Sequence, residues 1–144
     1  MPVIQIHTVA AAHPPEAVGN LLREASTFYA VTLYPETDPP PLERVRAFVS
    51  DVAPEHWATS GVAVSDGGMP APYFTCLALS GRPADQLKRL MSGMTDLICR
   101  HLCCERSLVR GQLIELDPAH WYIAGAPASE ARAGEISARS KGTA

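Results

Sequence analysis

The residue with the clearest chemical potential is Pro2, which directly follows the initiating methionine. If Met1 is removed, Pro2 carries a free secondary amine; if Met1 is retained, the nitrogen is an amide without basicity. An α-amino group has a pKa of about 8, and burial in an apolar pocket or a nearby cation lowers that pKa. Such an amine could take a proton from a carbon beside a carbonyl and return it elsewhere. Because Pro70 and Pro72, at the start of the second half of the chain, are internal amides, the sequence predicts one such base per chain.

An enolate oxygen or a substrate carboxylate needs a cationic partner, and four arginines are candidates for that role. Arg82 follows a predicted strand in the segment LSGRP, where it could bind an anion at the edge of a sheet. The alternative for this residue is a solvated position in the first turn of a helix. Arg44 and Arg46 share one face of another predicted strand, as substrate ligands or as solvated residues. Arg110 occupies the position equivalent to Arg46 in the second half and could reach a neighbouring subunit's pocket.

A Pro-x-His-Trp segment occurs twice, first as PEHWATSG and later as PAHWYIAG. Histidine titrates near neutrality and could act as a general base. Because His56 and His120 recur at equivalent places, we favour an architectural role in which they shape a turn and pack a subunit contact. Trp57 is predicted to be a core or interface residue. Trp121 and Tyr122 have the same interpretation, with an aromatic pocket wall contributed by an adjacent chain as the alternative.

The four cysteines all lie in the second half, and the run CRHLCC raises the question of a metal site. On a helix, Cys99 and Cys103 share a face while His101 points elsewhere. No second pair of ligands lies at a useful spacing. We therefore predict small apolar core residues with no metal, and no disulfide between the neighbours Cys103 and Cys104.

The composition is typical of a globular protein, with 47% hydrophobic and 19% charged residues in a chain of 144. This length predicts one domain with a sizeable core. The net charge of −3 argues against a nucleic-acid or anionic-membrane surface. The N-terminal segment has neither a basic region nor an apolar run long enough for a signal peptide or a membrane span. We therefore expect a cytoplasmic protein that binds neither nucleic acid nor membrane.

The first half of the chain has the pattern strand, helix, strand. Residues 2–9 (PVIQIHTV) alternate apolar and polar side chains and are rich in branched ones, which predicts a strand. After the prolines at 14–15, the segment EAVGNLLREASTFYAVTLY places apolar residues at helical spacing, up to a proline-rich break at 38–41. The segment LERVRAFVSDV predicts the second strand, before PEHWATSG and a glycine- and proline-containing loop.

The second half repeats this order. PYFTCLAL predicts a strand, and Pro83 is expected as the first residue of the helix ADQLKRLMSGMTDLICRHLC. SLVRGQLIEL then predicts a strand that ends at PAHWYIAG, and Arg110 matches Arg46 at the spacing of the repeated segment. Residues 129–144 are polar and small, which predicts a tail that is mobile or draped over a neighbouring subunit.

These elements predict an α+β fold built from duplicated β-α-β units. Two strands joined by a helix pair in parallel through a right-handed crossover. Two units side by side therefore give a four-stranded sheet with two helices on one face. We assign one domain to residues 1–128, with halves at about 2–61 and 71–125. The other face of the sheet also carries apolar residues such as Phe48, and because their burial needs partner chains, we expect an oligomer.

The combination of an N-terminal proline, two β-α-β halves and a closing Pro-x-His-Trp-x-x-x-Gly segment resembles the tautomerase superfamily. That group includes 4-oxalocrotonate tautomerase, 5-(carboxymethyl)-2-hydroxymuconate isomerase, macrophage migration inhibitory factor, malonate semialdehyde decarboxylase and the 3-chloroacrylate dehalogenases. The segment PAHWYIAG is similar to the family ending P-x-x-W-G-I-G-G, and the resemblance covers roughly residues 2–125. It implies a fold like that of macrophage migration inhibitory factor, with the unit doubled in one chain and three chains in the assembly.

The resemblance implies that Pro2 is the catalytic acid/base. It also implies a site role for Arg82, which stands where the dehalogenases and the decarboxylase carry an arginine, and for Arg44, because ERVRAFV is similar to the second strand of the muconate isomerase. The chain departs from the dehalogenase pattern because Leu79 replaces the first arginine of their R-S-G-R segment. Trp121 and its neighbour stand where those enzymes place a water-activating carboxylate, so hydration and dehalogenation are not expected.

The predicted function is therefore a cofactor-independent tautomerase or isomerase that acts on a small dicarboxylate or α-keto acid enol. Pro2 transfers the proton, and Arg82 and Arg44 bind carboxylate or enolate oxygen. Two other hypotheses stay open at this point. One is a non-catalytic homotrimer that uses the same fold for assembly or partner binding, and the other is a decarboxylase of a β-keto acid.

Overall fold

Strands and helices alternate in two successive halves of the chain. The computed structural model describes residues 2–142. Its strands are β1 (Val3–Val9), β2 (Arg46–Val52), β3 (Ala58–Thr59), β4 (Val62–Ala63), β5 (Tyr73–Leu79), β6 (Arg110–Leu116), β7 (Tyr122–Ile123) and β8 (Ala126–Pro127). Its helices are α1 (Pro15–Leu33), α2 (Ala84–Leu102), α3 (Ala128–Ala131) and α4 (Ala133–Gly142).

The four long strands form one mixed sheet in the order β2-β1-β5-β6. β1 pairs in parallel with β2, β5 pairs in parallel with β6, and the two units meet through the antiparallel pair of β1 and β5. A parallel pair needs a long crossover, which α1 and α2 supply. The duplicated β-α-β units and the four-stranded sheet predicted from the sequence are confirmed.

The core lies between the sheet and the two long helices. Ile4 and Ile6 of β1 and Phe74 of β5 are fully buried beneath the apolar stripes of α1 and α2. Each such side chain stabilises the fold by about 1.5–3 kcal/mol relative to an exposed one. The buried apolar residues of α1 and α2 are Leu21, Ala25, Tyr29, Ala30, Leu33, Leu87, Leu90, Met94, Leu97, Ile98 and Leu102.

The structure corrects the predicted starts of three elements. Arg44 is not on β2, because residues Leu42–Arg44 form a 3₁₀ turn and the strand begins only at Arg46. The amide of Val45 donates to the Leu42 carbonyl (3.0 Å) and is therefore unavailable to the sheet. In the same way, a 3₁₀ turn at Arg106–Leu108 precedes β6, which begins only at Arg110 and not at the start of the predicted segment SLVRGQLIEL. Pro83 is the N-cap of α2 rather than its first residue.

The repeated Pro-x-His-Trp segments are a duplicated structure. Each forms a 3₁₀ turn, at Pro54–His56 and Pro118–His120, and each leads into a short hairpin, β3–β4 or β7–β8. His56 and His120 are exposed on these turns. The equivalent placement agrees with the predicted role in shaping a turn, and the predicted subunit contact stays a prediction.

The face of the sheet opposite α1 and α2 is only partly polar. Phe48 on the outer strand β2 is 41% exposed there. The ring of His7 stacks on Tyr73 with centroids 5.6 Å apart, and the Tyr73 hydroxyl donates to Gln112 Oε1 at 2.8 Å. Gln5 Nε2 donates to Ser50 Oγ at 3.1 Å. Because the apolar side chain of Phe48 is exposed among these polar pairs, we expect a partner chain to cover this face in an oligomer.

The predicted polar tail is helical as far as it is described. α3 begins at Ala128, which is fully buried, and α4 continues to Gly142. The proposed boundary between residues 128 and 129 therefore falls within α3, and Glu135 of α4 pairs with Arg44 of the same chain. Of the helices formed by residues 2–142, none combines the length and apolar character needed to cross a bilayer.

Candidate functional site

The candidate site lies at the edge of the sheet where β1 and β2 begin and β5 ends. Pro2 is buried at this edge, and its carbonyl accepts a hydrogen bond from the Arg46 amide at 3.0 Å. Val3 pairs with Arg46 on one side and with Leu77 on the other. Pro2 therefore stands beside the turn that carries Arg44 and near the end of β5. Met1, whose removal the proline chemistry requires, lies outside the described residues.

Arg82 reaches this edge from the loop that follows β5. Gly81 turns the chain with φ +88°, a conformation that residues with side chains rarely adopt. The Arg82 side chain is 8% exposed, and its Nη1 donates to the Leu33 carbonyl at 2.6 Å. Burial lowers the pKa of Arg82, and the nearby charge of Arg139 lowers it further. Among residues 2–142, no carboxylate forms an ion pair with Arg82.

Arg44 reaches the same edge from the 3₁₀ turn before β2. Its Nη1 contacts both carboxylate oxygens of Glu135, at 2.9 and 3.2 Å. Burial opposes the charged form of Arg44, but the Glu135 carboxylate and the Tyr34 hydroxyl favour it more strongly, so the pKa of Arg44 is raised. The structure thus brings together two arginines that lie far apart in the sequence.

Tyr34 joins the two arginines and is a site residue that the sequence analysis missed. It is the C-cap of α1, where its amide donates to the Ala30 carbonyl at 2.9 Å. The guanidinium carbons of Arg44 and Arg82 each lie 5.0 Å from the centroid of the Tyr34 ring. Cation–π contacts of this kind contribute about 0.5–1 kcal/mol each. The available signal was an aromatic residue at the end of a predicted helix, directly before Pro35.

A cavity of ≈ 390 Å³ opens between these side chains, a size suited to a small ligand. Both arginines and Tyr34 line it, together with Gln86 from the first turn of α2 and Glu135 and Arg139 from α4. Arg44 Nε, Arg82 Nε and Gln86 Oε1 are buried and have no hydrogen-bond partner among the described residues. Buried polar atoms normally have partners, so the cavity offers hydrogen-bonding capacity to a ligand.

Arg46 and Arg110 do not line this cavity. Arg46 Nη1 donates to the carbonyls of Glu43 and Val45, both at 2.9 Å, and is exposed. Arg110 Nη1 makes the equivalent bonds to the carbonyls of Ser107 and Val109, at 2.6 and 3.1 Å. Because β6 begins beside the start of β5, Arg110 lies at the opposite edge of the sheet from Pro2. Each of these arginines binds the 3₁₀ turn that precedes its own strand.

Trp121 and Tyr122 also lie outside the cavity of their own chain. Tyr122 is 63% exposed, and Trp121 Nε1 is buried without a partner among the described residues. The equivalent Trp57 Nε1 donates to Thr59 Oγ1 at 3.3 Å. Ile123 takes the place of Thr59 in the second hairpin and has no acceptor. The suggestion that these aromatic residues complete a neighbour's pocket stays a prediction.

The edge of the sheet where β5 and β6 begin is the structural counterpart of the edge that holds Pro2, but it has no equivalent of Arg44 or Tyr34. The Pro72 carbonyl accepts from the Arg110 amide at 3.2 Å, as that of Pro2 does from Arg46. The position equivalent to Arg44 is Leu108, and the position equivalent to Tyr34 is Cys103. Within residues 2–142, the cationic cavity therefore forms at only one of these two equivalent edges of the sheet.

A larger cleft of ≈ 890 Å³ lies at the opposite edge, between the ends of β1 and β2 and the start of α1. His13 Nε2 lies 3.1 Å from Thr8 Oγ1 in this cleft. Burial lowers the pKa of His13, and the charge of Asp51 opposes that shift. Among the described residues, no arginine or lysine lines this cleft, in contrast to the smaller cavity.

The cysteines form no evident site. Cys76 is buried in the core, and burial raises the pKa of its thiol to about 12. Cys103 is exposed just beyond α2, and Cys104 is half-buried next to Cys99. Within residues 2–142, histidine, cysteine, aspartate and glutamate side chains form no group of three or more that could hold a metal ion.

No protein-family model and no curated protein matches the sequence. Among solved structures, the chain is similar to Pt0534 inactivated by 2-oxo-3-pentynoate, with 21% identity and a TM-score of 0.76 over 90% of this chain and 98% of that one. It is similar to the wild-type symmetric trimer of Q0 fused 4-OT, with 22% identity and a TM-score of 0.74 over 90% and 98%. Macrophage migration inhibitory factor from Toxoplasma gondii matches at 18% identity, with a TM-score of 0.66 over 85% and 96%.

These likenesses establish the fold. The chain has the α+β architecture of the fused 4-OT proteins over nearly their full length. The resemblance to long, doubled-unit tautomerase-superfamily proteins that the sequence indicated is therefore confirmed as a resemblance of fold.

Proposed function

We propose that this protein is a tautomerase-type isomerase that uses Pro2 as an acid/base on a small anionic keto or enol acid. Arg82 and Arg44 bind the carboxylate or enolate oxygen of the substrate. No cofactor takes part in the proposed reaction.

The observation that carries this proposal is the buried guanidinium of Arg82, which forms no ion pair among residues 2–142 and lies at the edge of the sheet that holds Pro2. Removing a guanidinium from water is costly unless an anion compensates it. Among residues 2–142, Arg82 contacts the Leu33 carbonyl and the Tyr34 ring but forms no ion pair with a carboxylate, and its Nε is buried without a hydrogen-bond partner. A bound carboxylate or a developing enolate would supply the missing partner.

The burial of Pro2 supports its role as a base, and Pro2 lies at the same edge of the sheet as the arginine cavity but not in its lining. Pro2 is buried, and burial favours the neutral form of an amine. The nitrogen lone pair takes a proton from the carbon beside the substrate carbonyl, and the C–H electron pair moves to form an enolate. The arginines hold the enolate oxygen, and the prolinium then returns its proton to that oxygen or to another carbon of the conjugated system.

The structural neighbours support the class of substrate and the assembly. Pt0534 is inactivated by 2-oxo-3-pentynoate, a small 2-oxo acid, and Q0 fused 4-OT is a trimer. We propose the same kind of anionic 2-oxo or enol acid for this chain. We also propose a homotrimer, in which the open face that carries Phe48 is covered.

The test compares phenylenolpyruvate ketonisation by the wild type and by Pro2→Ala, after intact-mass measurement of both proteins. We expect the wild type to lack Met1, and Pro2→Ala to lose about 100-fold or more in kcat/KM, as expected for a lost acid/base. Equal rates would remove Pro2 from the mechanism. A retained Met1 together with an inactive wild type would favour the non-catalytic trimer.

A further inference from the structure

The C-terminal helix α4 forms one side of the candidate site. Glu135, Arg139 and Gly142 of this helix line the cavity opposite Arg82 and Gln86. The contact is specific, because Glu135 presents both carboxylate oxygens to Arg44 Nη1, at 2.9 and 3.2 Å. A single guanidinium nitrogen of Arg44 thus holds the Glu135 carboxylate in a charge-assisted contact, and it could hold a ligand carboxylate in the same way.

The two arginines of the cavity therefore differ in one respect. Arg44 already holds a carboxylate, whereas Arg82 forms no ion pair with any residue in the range 2–142. A ligand with one carboxylate could bind Arg82 alone, but a second carboxylate that binds Arg44 Nη1 must take the place of Glu135. The internal carboxylate and such a ligand compete for the same guanidinium.

The helix that carries Glu135 is suited to displacement. α4 is ten residues long and has no buried residue. A helix of this length is marginal in water without tertiary packing. Its N-terminal neighbour α3 is anchored by the fully buried Ala128, so α4 could leave while α3 stays in place. By contrast, α1 and α2 carry much of the hydrophobic core.

We propose that Glu135 is a built-in mimic of the substrate carboxylate, and that α4 must leave Arg44 when a dianionic ligand binds. The free chain thus neutralises Arg44 with its own C-terminal helix. When the ligand binds, its carboxylate replaces that of Glu135 on Arg44. This competition reduces the apparent affinity of the cavity for small anions. The inference rests on the proposed function only in taking the cavity as the ligand site.

The experiment measures binding of malonate, a small dicarboxylate that needs no turnover, by titration calorimetry. Glu135→Gln keeps the shape and an acceptor oxygen but removes the competing charge. In the wild type, malonate competes with the partly exposed ion pair between Arg44 and Glu135. We therefore expect malonate to bind Glu135→Gln about three- to tenfold more tightly than it binds the wild type. Glu130→Gln removes an equal charge from the exposed surface of α3 and is the matched control, with an unchanged affinity.

Hydrogen exchange supplies a second measurement that does not depend on a variant. In the wild type, saturating malonate should increase amide exchange in α4 and leave α1 and α2 unchanged. Slower exchange in α4 with malonate would mean that the helix closes on the ligand, and that result overturns the proposal. Unchanged or weaker malonate binding by a folded Glu135→Gln protein also overturns it.

The outcomes separate this inference from the proposed function. If the wild type binds malonate with release of α4 but has no ketonisation activity, the competition stands and the tautomerase proposal fails. If Pro2→Ala abolishes activity while Glu135→Gln leaves malonate affinity and α4 exchange unchanged, the function stands and the competition fails.

Discussion

The guanidinium groups of Arg44 and Arg82 share one aromatic ring, since both guanidinium carbons lie 5.0 Å from the centroid of Tyr34. Two like charges repel each other, and the electron-rich ring between them lowers that cost. Without such a ring, two buried guanidinium cations at this edge of the sheet would be less favourable than neutral or ion-paired groups. The two cations beside one cavity support our proposal that its ligand is an anion.

Arg82→Gln should weaken malonate binding about tenfold or more, because hydrogen bonds to a charged group contribute about 1.5–3 kcal/mol. Titration calorimetry measures the affinity, and thermal unfolding checks that the loss of the bond to the Leu33 carbonyl has not unfolded the protein. Arg110→Gln is the control, since Arg110 lies at the opposite edge of the sheet. Equal losses in the two variants would show that the effect is one of net charge rather than of the cavity.

Tyr34→Leu should weaken malonate binding about fivefold, because both guanidinium groups lose their aromatic contact. Tyr34→Phe keeps the ring and should retain most of the affinity. The measurement is the ratio of the two dissociation constants. If the phenylalanine variant binds as weakly as the leucine variant, the hydroxyl rather than the ring positions the arginines.

Gly111→Ala should destabilise the fold by about 1–3 kcal/mol, the usual cost of overpacking a core. A Cβ at this position on β6 would lie 2.4 Å from Phe74 Cζ, and Phe74 is fully buried and cannot move aside. Denaturant unfolding measures the change in the free energy of unfolding. Gly134→Ala in α4, where a Cβ meets nothing within 4 Å, is the control and should leave stability unchanged or slightly higher.

The stability of the fold should decrease as the pH falls below about 6.5, in part because of His13. Burial lowers the pKa of His13 in the folded state, with Asp51 opposing the shift, so the unfolded chain takes up the proton first. The contribution of His13 is complete above the unfolded pKa and is lost as the pH falls through the folded pKa. His13→Gln should flatten the dependence of the unfolding free energy on pH between 5 and 7.

His56→Gln is the matched control for this titration, because His56 is exposed on a 3₁₀ turn. It should leave the slope of stability against pH unchanged. A His13→Gln protein with the slope of the wild type would mean that other groups cause the acid sensitivity.

Much of the fold could be predicted from the sequence because its signals are local. Alternation over Val3–Val9 and helical spacing over Ala84–Leu102 each lie within one element, and the repeated Pro-x-His-Trp segments revealed the duplication. The error at Arg44 is also local in origin. The segment LERVRAFVSDV is predicted to be one continuous strand, but a 3₁₀ turn uses the amide of Val45 and delays the strand.

The composition of the site was decided by the tertiary structure. Pro2 and Arg82 could be proposed as candidates from the sequence because each has a chemistry or position that stands out by itself. Tyr34 and Glu135 could not, because an aromatic residue at a helix end and a glutamate in a polar segment are ordinary until folding brings them to Arg44. The sheet order decided the rest: with β1 and β5 antiparallel, Arg82 comes to the edge that holds Pro2, and Arg110 is left at the other.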